Sequence, residues 1–62
     1  MIVFHVQPDN AVEIFDETIL DSILAERVYL GRIYTDGTIA LTHRISIDDF
    51  VYIAETAKKV IA

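Results

Sequence analysis

Asp36-Gly37 constrains this chain more than any other pair of residues. It lies between two runs rich in β-branched and aromatic side chains, 27–34 and 38–45. A two-residue type I′ turn needs positive φ at both central positions, and Asp-Gly supplies it at little steric cost. The pair predicts a hairpin in which the numbers of paired residues sum to 73. Val28 then faces Ile45, Leu30 faces His43, Arg32 faces Leu41 and Tyr34 faces Ile39. That mostly apolar face should meet the core. The opposite face pairs Tyr29 with Arg44, Gly31 with Thr42 and Ile33 with Ala40.

A helix follows over residues 47–61. Ser46 is a natural N-cap with Asp49 at N3, and Ile45 and Phe50 are placed to form a hydrophobic staple. Asp48 and Asp49 near the start and Lys58 and Lys59 near the end match the helix macrodipole. Phe50, Ile53, Ala54, Ala57, Val60 and Ile61 recur at helical spacing and form one apolar stripe.

The first half admits two foldings. In one, strands over 2–7 and 11–15 flank Pro8-Asp9-Asn10, which suits a type I turn followed by a left-handed residue. Paired numbers then sum to 18, setting Val6 against Val12, Phe4 against Ile14, His5 against Glu13 and Val3 against Phe15. A short helix over 16–26 follows, with Ile19, Leu20, Ile23 and Leu24 inward. In the other, Asn10 caps a single helix over 11–26, but Asp16 and Glu26 then fall inside its apolar stripe. The first is preferred. It predicts an α+β fold, a two-layer sandwich of antiparallel hairpins with two helices on one face (ββαββα; alternative βαββα), in a single domain spanning 1–62. Asp9-Asn10 and Asp36-Gly37 occupy equivalent places in the two hairpins, a weak internal echo.

With 62 residues, no Cys and only two His, disulfides are excluded and a zinc site nearly so. A chain of this length is stable by only a few kcal/mol, at about 0.05–0.15 kcal/mol per residue. Small domains expose more surface per residue and should be more polar than average, yet 53% of this one is apolar and its mean hydropathy is +0.41. The surplus points to apolar surface covered by another chain. It falls on the outer sheet face, where Val3, Phe15, Tyr29, Ile33 and Ala40 mix with His5, Glu13, Thr42 and Arg44, and no element remains to cover them. Such a mixture has the composition of an interface. The expected partner-binding residues are Val3, Phe15, Tyr29 and Ile33 as apolar anchors, with Arg44 as a polar one. The expected partner is a protein, first of all the chain itself as a homodimer or higher oligomer. Ile33→Glu should then split the oligomer without unfolding it.

Charge is unevenly placed. Residues 1–26 hold six acids and no Lys or Arg, whereas the rest holds five bases and four acids, for a net charge of -5. Glu13, Asp16, Glu17, Asp21 and Glu26 read first as a solvated helix face. They also suggest an alternative function, an acidic inhibitor of a nucleic-acid-processing protein, as a viral or mobile-element protein might be, that meets a basic partner by imitating phosphates. A second alternative is weak nucleic-acid binding through the 27–45 hairpin, with Tyr29, Tyr34 and Arg44, but the acidic total argues against it.

Chemistry is sparse. His5 with Glu13 reads as an outward polar pair, and His43 as a structural histidine on the inner face. Arg32 either snorkels at the sheet edge or meets Asp21 or Glu26. No phosphate loop and no nucleophile–base set can be assembled. The expectation is a non-enzyme without cofactor or metal, with no secretory leader or membrane span and a cytoplasmic location.

Overall fold

A computed structural model describes residues 1–20 and 24–61. The fold is α+β. Strands β1 (Ile2–Val6), β2 (Val12–Ile19), β3 (Ala25–Ile33) and β4 (Ile39–Leu41) form an antiparallel meander in the order β1-β2-β3-β4, followed by helix α1 (Ile47–Ile61). Val12, Ile14, Leu30 and Ile33 of the sheet and Ile53 and Ala57 of the helix make one buried cluster, with Ile2, Phe4, Ile39, Leu41 and Ile45 packed against it. The helix therefore covers one sheet face, to which Val12, Ile14, Ile33 and Ile39 all point.

The β1–β2 register is the expected one, with Ile2 opposite Asp16, Phe4 opposite Ile14 and Val6 opposite Val12. Its turn is also as read. Asn10 has φ 70°, and the Ala11 amide donates to Asp9 Oδ1 at 3.0 Å. Helix α1 has its expected bounds, and the Asp49 amide donates to Ser46 Oγ at 3.1 Å. The expected stripe is only partly inward: Ile53 and Ala57 are buried, while Phe50 is nearly half exposed.

Three features differ from expectation. The helix expected over 16–26, and with it the two-helix ββαββα order, is replaced by strand: β2 runs on to Ile19 and β3 starts at Ala25. Opposed pairs there include Glu17 with Arg27 and Thr18 with Glu26, and the Leu20 amide donates to the Leu24 carbonyl. The expected inward Ile23 and the acid Asp21 lie outside the described residues. Ile19, Leu20 and Leu24 are exposed. Burial does not enforce a helical period there, and the chain continues the ladder that β2 has already begun. The alternative helix over 11–26 is excluded on the same ground.

The β3–β4 register is displaced by one. Ile33 opposes Ile39, Arg32 opposes Ala40 and Gly31 opposes Leu41. The Asp-Gly turn is not the two-residue type. The Gly37 amide donates to the Tyr34 carbonyl and the Tyr34 amide to the Thr38 carbonyl, so the loop is Thr35-Asp36-Gly37, with Gly37 at φ 94°. This is a type I turn closed by one left-handed residue, the commonest three-residue hairpin loop.

The third difference is a bulge. β2 and β3 pair Ile14 with Gly31 but Phe15 with Tyr29, which leaves Leu30 unopposed. An extra residue reverses the alternation of faces along a strand. Val28 and Leu30 keep their expected side, whereas Arg32 and Ile33 exchange sides. Ile33 is 1% exposed in the core, and Arg32 lies on the outer face.

Candidate protein-binding surface

Helix α1 covers one side of the sheet, and no described element covers the other. Its side chains follow from register and alternation. Val3, Phe15 and Tyr29 lie in one row across β1, β2 and β3. On one side runs a row of His5, Glu13, Arg32 and Ala40, and on the other Glu17 and Arg27.

The middle row is aromatic and stacked. The Phe15 and Tyr29 rings stand edge to face at 5.6 Å between centroids, and the His5 ring leans toward Phe15 at 5.3 Å. Both separations lie in the favourable range for aromatic pairs. The flanking rows are held by ion pairs. Arg27 Nε donates to Glu17 Oε2 at 2.6 Å, and Arg27 Nη1 donates to His5 Nε2 at 3.0 Å. A guanidinium only donates, so Nε2 is the acceptor and carries no proton in this arrangement. Arg32 Nη2 lies 3.6 Å from Asp9 Oδ2 and 3.9 Å from Glu13 Oε1, and its guanidinium sits 5.8 Å from the centre of the Tyr34 ring. Arg32 Nε is buried without a partner.

Val3, Phe15 and Tyr29 thus share a surface as expected, and two expected members do not join them. Ile33 points into the core, because the bulge reverses the faces of β3 beyond Leu30. Its replacement by Glu would place a charge among Val12, Ile14 and Ile53, which corrects the expectation that the variant stays folded. Arg44 is exposed in the segment between β4 and α1, since β4 ends at Leu41 and offers no strand position opposite Tyr29. His43 is likewise exposed outside the sheet, where its Nδ1 meets Thr42 Oγ1 at 3.0 Å.

Arg27 and Arg32 belong to the surface and were missed. The signal that could have found Arg32 is Gly31, since a glycine inside a strand marks a bulge or a close backbone approach. It does both here. A Cβ on Gly31 would run into the Ala40 carbonyl oxygen and come within 2.9 Å of Leu41 Cα, and φ is 156°.

The acids of the first half are divided between faces. Glu13 and Glu17 lie on the outer one, both beside arginines, and Asp16 lies on the helix side, bonded to the Met1 ammonium at 2.8 Å. Among the described residues there is no pocket, no group of three side chains placed to hold a metal, and no helix long and apolar enough to cross a membrane. Compared with known proteins, the chain matches no family model, no curated sequence and no solved structure.

Proposed function

We propose that this chain is a small acidic protein–protein interaction domain that self-associates, with the outer sheet face as its contact surface. One observation carries the proposal: an apolar row of Val3, Phe15 and Tyr29, bracketed by ion-paired rows, on a sheet face that no described element covers. An apolar centre with a polar rim is the usual anatomy of a protein interface. Surface area supports it. A compact monomer of 7.0 kDa exposes about 4,000 Å² by the usual scaling, whereas this chain exposes 4545 Å². The proposed role is binding rather than catalysis, and a cytoplasmic location belongs to the same proposal.

The acidic-inhibitor alternative is less well supported. Its acids face opposite sides of the sheet, and those on the outer face sit beside arginines. Nucleic-acid binding through the 27–45 hairpin is weakened in the same way, because Arg27 and Arg32 are each engaged by carboxylates.

Sedimentation equilibrium over a range of concentrations tests the proposal. The wild type should associate, and Tyr29→Glu or Phe15→Glu should weaken association while the circular dichroism spectrum stays native. A wild type that stays monomeric up to about 1 mM, the weak end of specific association, would refute it.

A further inference from the structure

The two edges of the sheet are unequal. β4 offers three residues, of which Ile39 and Leu41 turn their backbone groups outward and are half-buried. β1 offers five. Its alternation is set at the start: the Met1 ammonium donates to the Glu17 carbonyl at 3.0 Å and the Glu17 amide to the Met1 carbonyl at 2.8 Å. The Gln7 amide donates to the Ala11 carbonyl at 2.8 Å, in the same phase. Odd-numbered residues therefore bond to β2. Ile2, Phe4 and Val6 direct their N–H and C=O groups away from the sheet.

Natural edge strands are usually blunted by a charge, a proline, a bulge or shortness. The segment Ile-Val-Phe-His-Val has none of the first three and spans five residues. Val6, which faces the helix side, is 70% exposed. Tyr52 of α1 stands beside Phe4 at 5.8 Å between ring centroids and is half exposed, so the apolar rim continues from edge to helix.

We propose that β1 pairs antiparallel with β1 of a second copy about a two-fold axis at Phe4, joining two sheets into one of eight strands. This rests on the chain being self-associating and supplies an edge contact in addition to the face. Row and register favour the chain's own copy as occupant. With Phe4 opposite Phe4, Ile2 meets Val6 and Val3 meets His5. The three outward residues of each strand can then exchange all their N–H and C=O groups. On the helix side every cross-strand neighbour is apolar. The acidic residues that give the chain its charge of -5 begin at Asp9, so no like charges oppose each other along the paired strands. The two outer faces come to lie side by side on one continuous sheet.

Amide hydrogen exchange and sedimentation of the intact chain test it together. In the wild type, the Phe4 and Val6 amides should become protected as concentration rises, approaching the protection of Val3 and His5. Val6→Pro removes one outward donor and no bond to β2. It should raise the dissociation constant by at least about tenfold with the fold unchanged, whereas Tyr29→Glu should leave the concentration-dependent protection of Phe4 in place. A wild-type oligomer whose Phe4 and Val6 amides stay unprotected overturns the edge pairing while self-association stands. So does a folded Val6→Pro that associates as tightly as the wild type. A wild type monomeric at all concentrations overturns both.

Discussion

The β2–β3 hairpin is one ladder with two kinds of support. In its inner half, Val12 and Ile14 oppose Ile33 and Gly31 under helix α1, between β1 and β4, and the apolar side chains there are at most 5% exposed. In its outer half, Glu17, Thr18 and Ile19 oppose Arg27, Glu26 and Ala25, beyond the last strand pairs of β1 and β4. Ile19 is 63% exposed, and an Arg27–Glu17 ion pair joins the two strands there. Backbone pairing is shared, but burial is confined to one half. The inner half is held by apolar packing, whereas the outer half is carried by continuation of the ladder and should open first.

Truncating one apolar side chain in each half separates the two kinds of support. Ile14→Ala leaves a void in a fully buried site and should cost about 2–5 kcal/mol, most of the stability of a chain this short. Ile19→Ala removes an exposed side chain and should change stability by no more than about 0.5 kcal/mol. Urea unfolding of both variants measures the contrast, and equal losses would mean that the two halves share one packed core.

The two halves meet at the bulge. Gly31 sits where the ladder shifts past Leu30, with the Ala40 backbone against it. Gly31→Ala should displace β4 and cost about 1–3 kcal/mol, as overpacking does. It should also increase amide exchange at Thr42, whose N–H donates to the Leu30 carbonyl. Unchanged stability and exchange would show that β4 yields easily.

Legibility in the sequence follows the same division. Where burial enforces a period, local pattern carried the reading: helix 47–61 with its Ser46 cap was readable outright, and the hairpin of strands 2–7 and 11–15, with its register, was the preferred one of two foldings. Where nothing is buried, Ile19, Leu20 and Leu24 at helical spacing were a pattern without a consequence, and the ladder prevailed. The β3–β4 register was missed for a different reason. Both hairpins use the same loop, Pro8-Asp9-Asn10 and Thr35-Asp36-Gly37, each with a left-handed third residue and an Asp side chain accepting the next-but-one amide. The echo between Asp9-Asn10 and Asp36-Gly37 was visible, and applying the first turn's geometry to the second yields the observed pairing. Of the outer sheet face, Val3, Phe15 and Tyr29 were legible because they precede the bulge or lie on other strands. Ile33 was not, because one extra residue reverses every face beyond it.

Weakening the ion pair acts on the outer half alone. Arg27→Gln removes the charge that meets Glu17 and the donor to His5, at a site nearly half exposed. Global stability should fall by about 1 kcal/mol or less, as for other exposed pairs. Amide exchange at Thr18 and Glu26 should speed up strongly, while protection at Ile14 and Ile33 falls only in proportion to global stability. Uniform acceleration would place both halves in one cooperative unit.

The smallest effect lies at the exposed end of the inner half, in the turn after β3. The Asp36 carboxylate accepts the Thr38 amide at 2.9 Å. That bond, helped by the Thr38 hydroxyl, holds its pKa below the ordinary aspartate value. A carboxylate with a depressed folded pKa contributes stability that is fully present above its unfolded pKa and is lost as pH falls through the folded one. Asp36 therefore supports the turn at neutral pH and ceases to do so in acid. In Asp36→Asn that pH dependence should vanish, since the amide oxygen still accepts but does not titrate. The direct measurement is the carboxyl carbon shift of Asp36 against pH. Its midpoint should fall below that of an Asp in a short unstructured peptide, and a midpoint equal or higher would mean that the bond to Thr38 is not kept in solution.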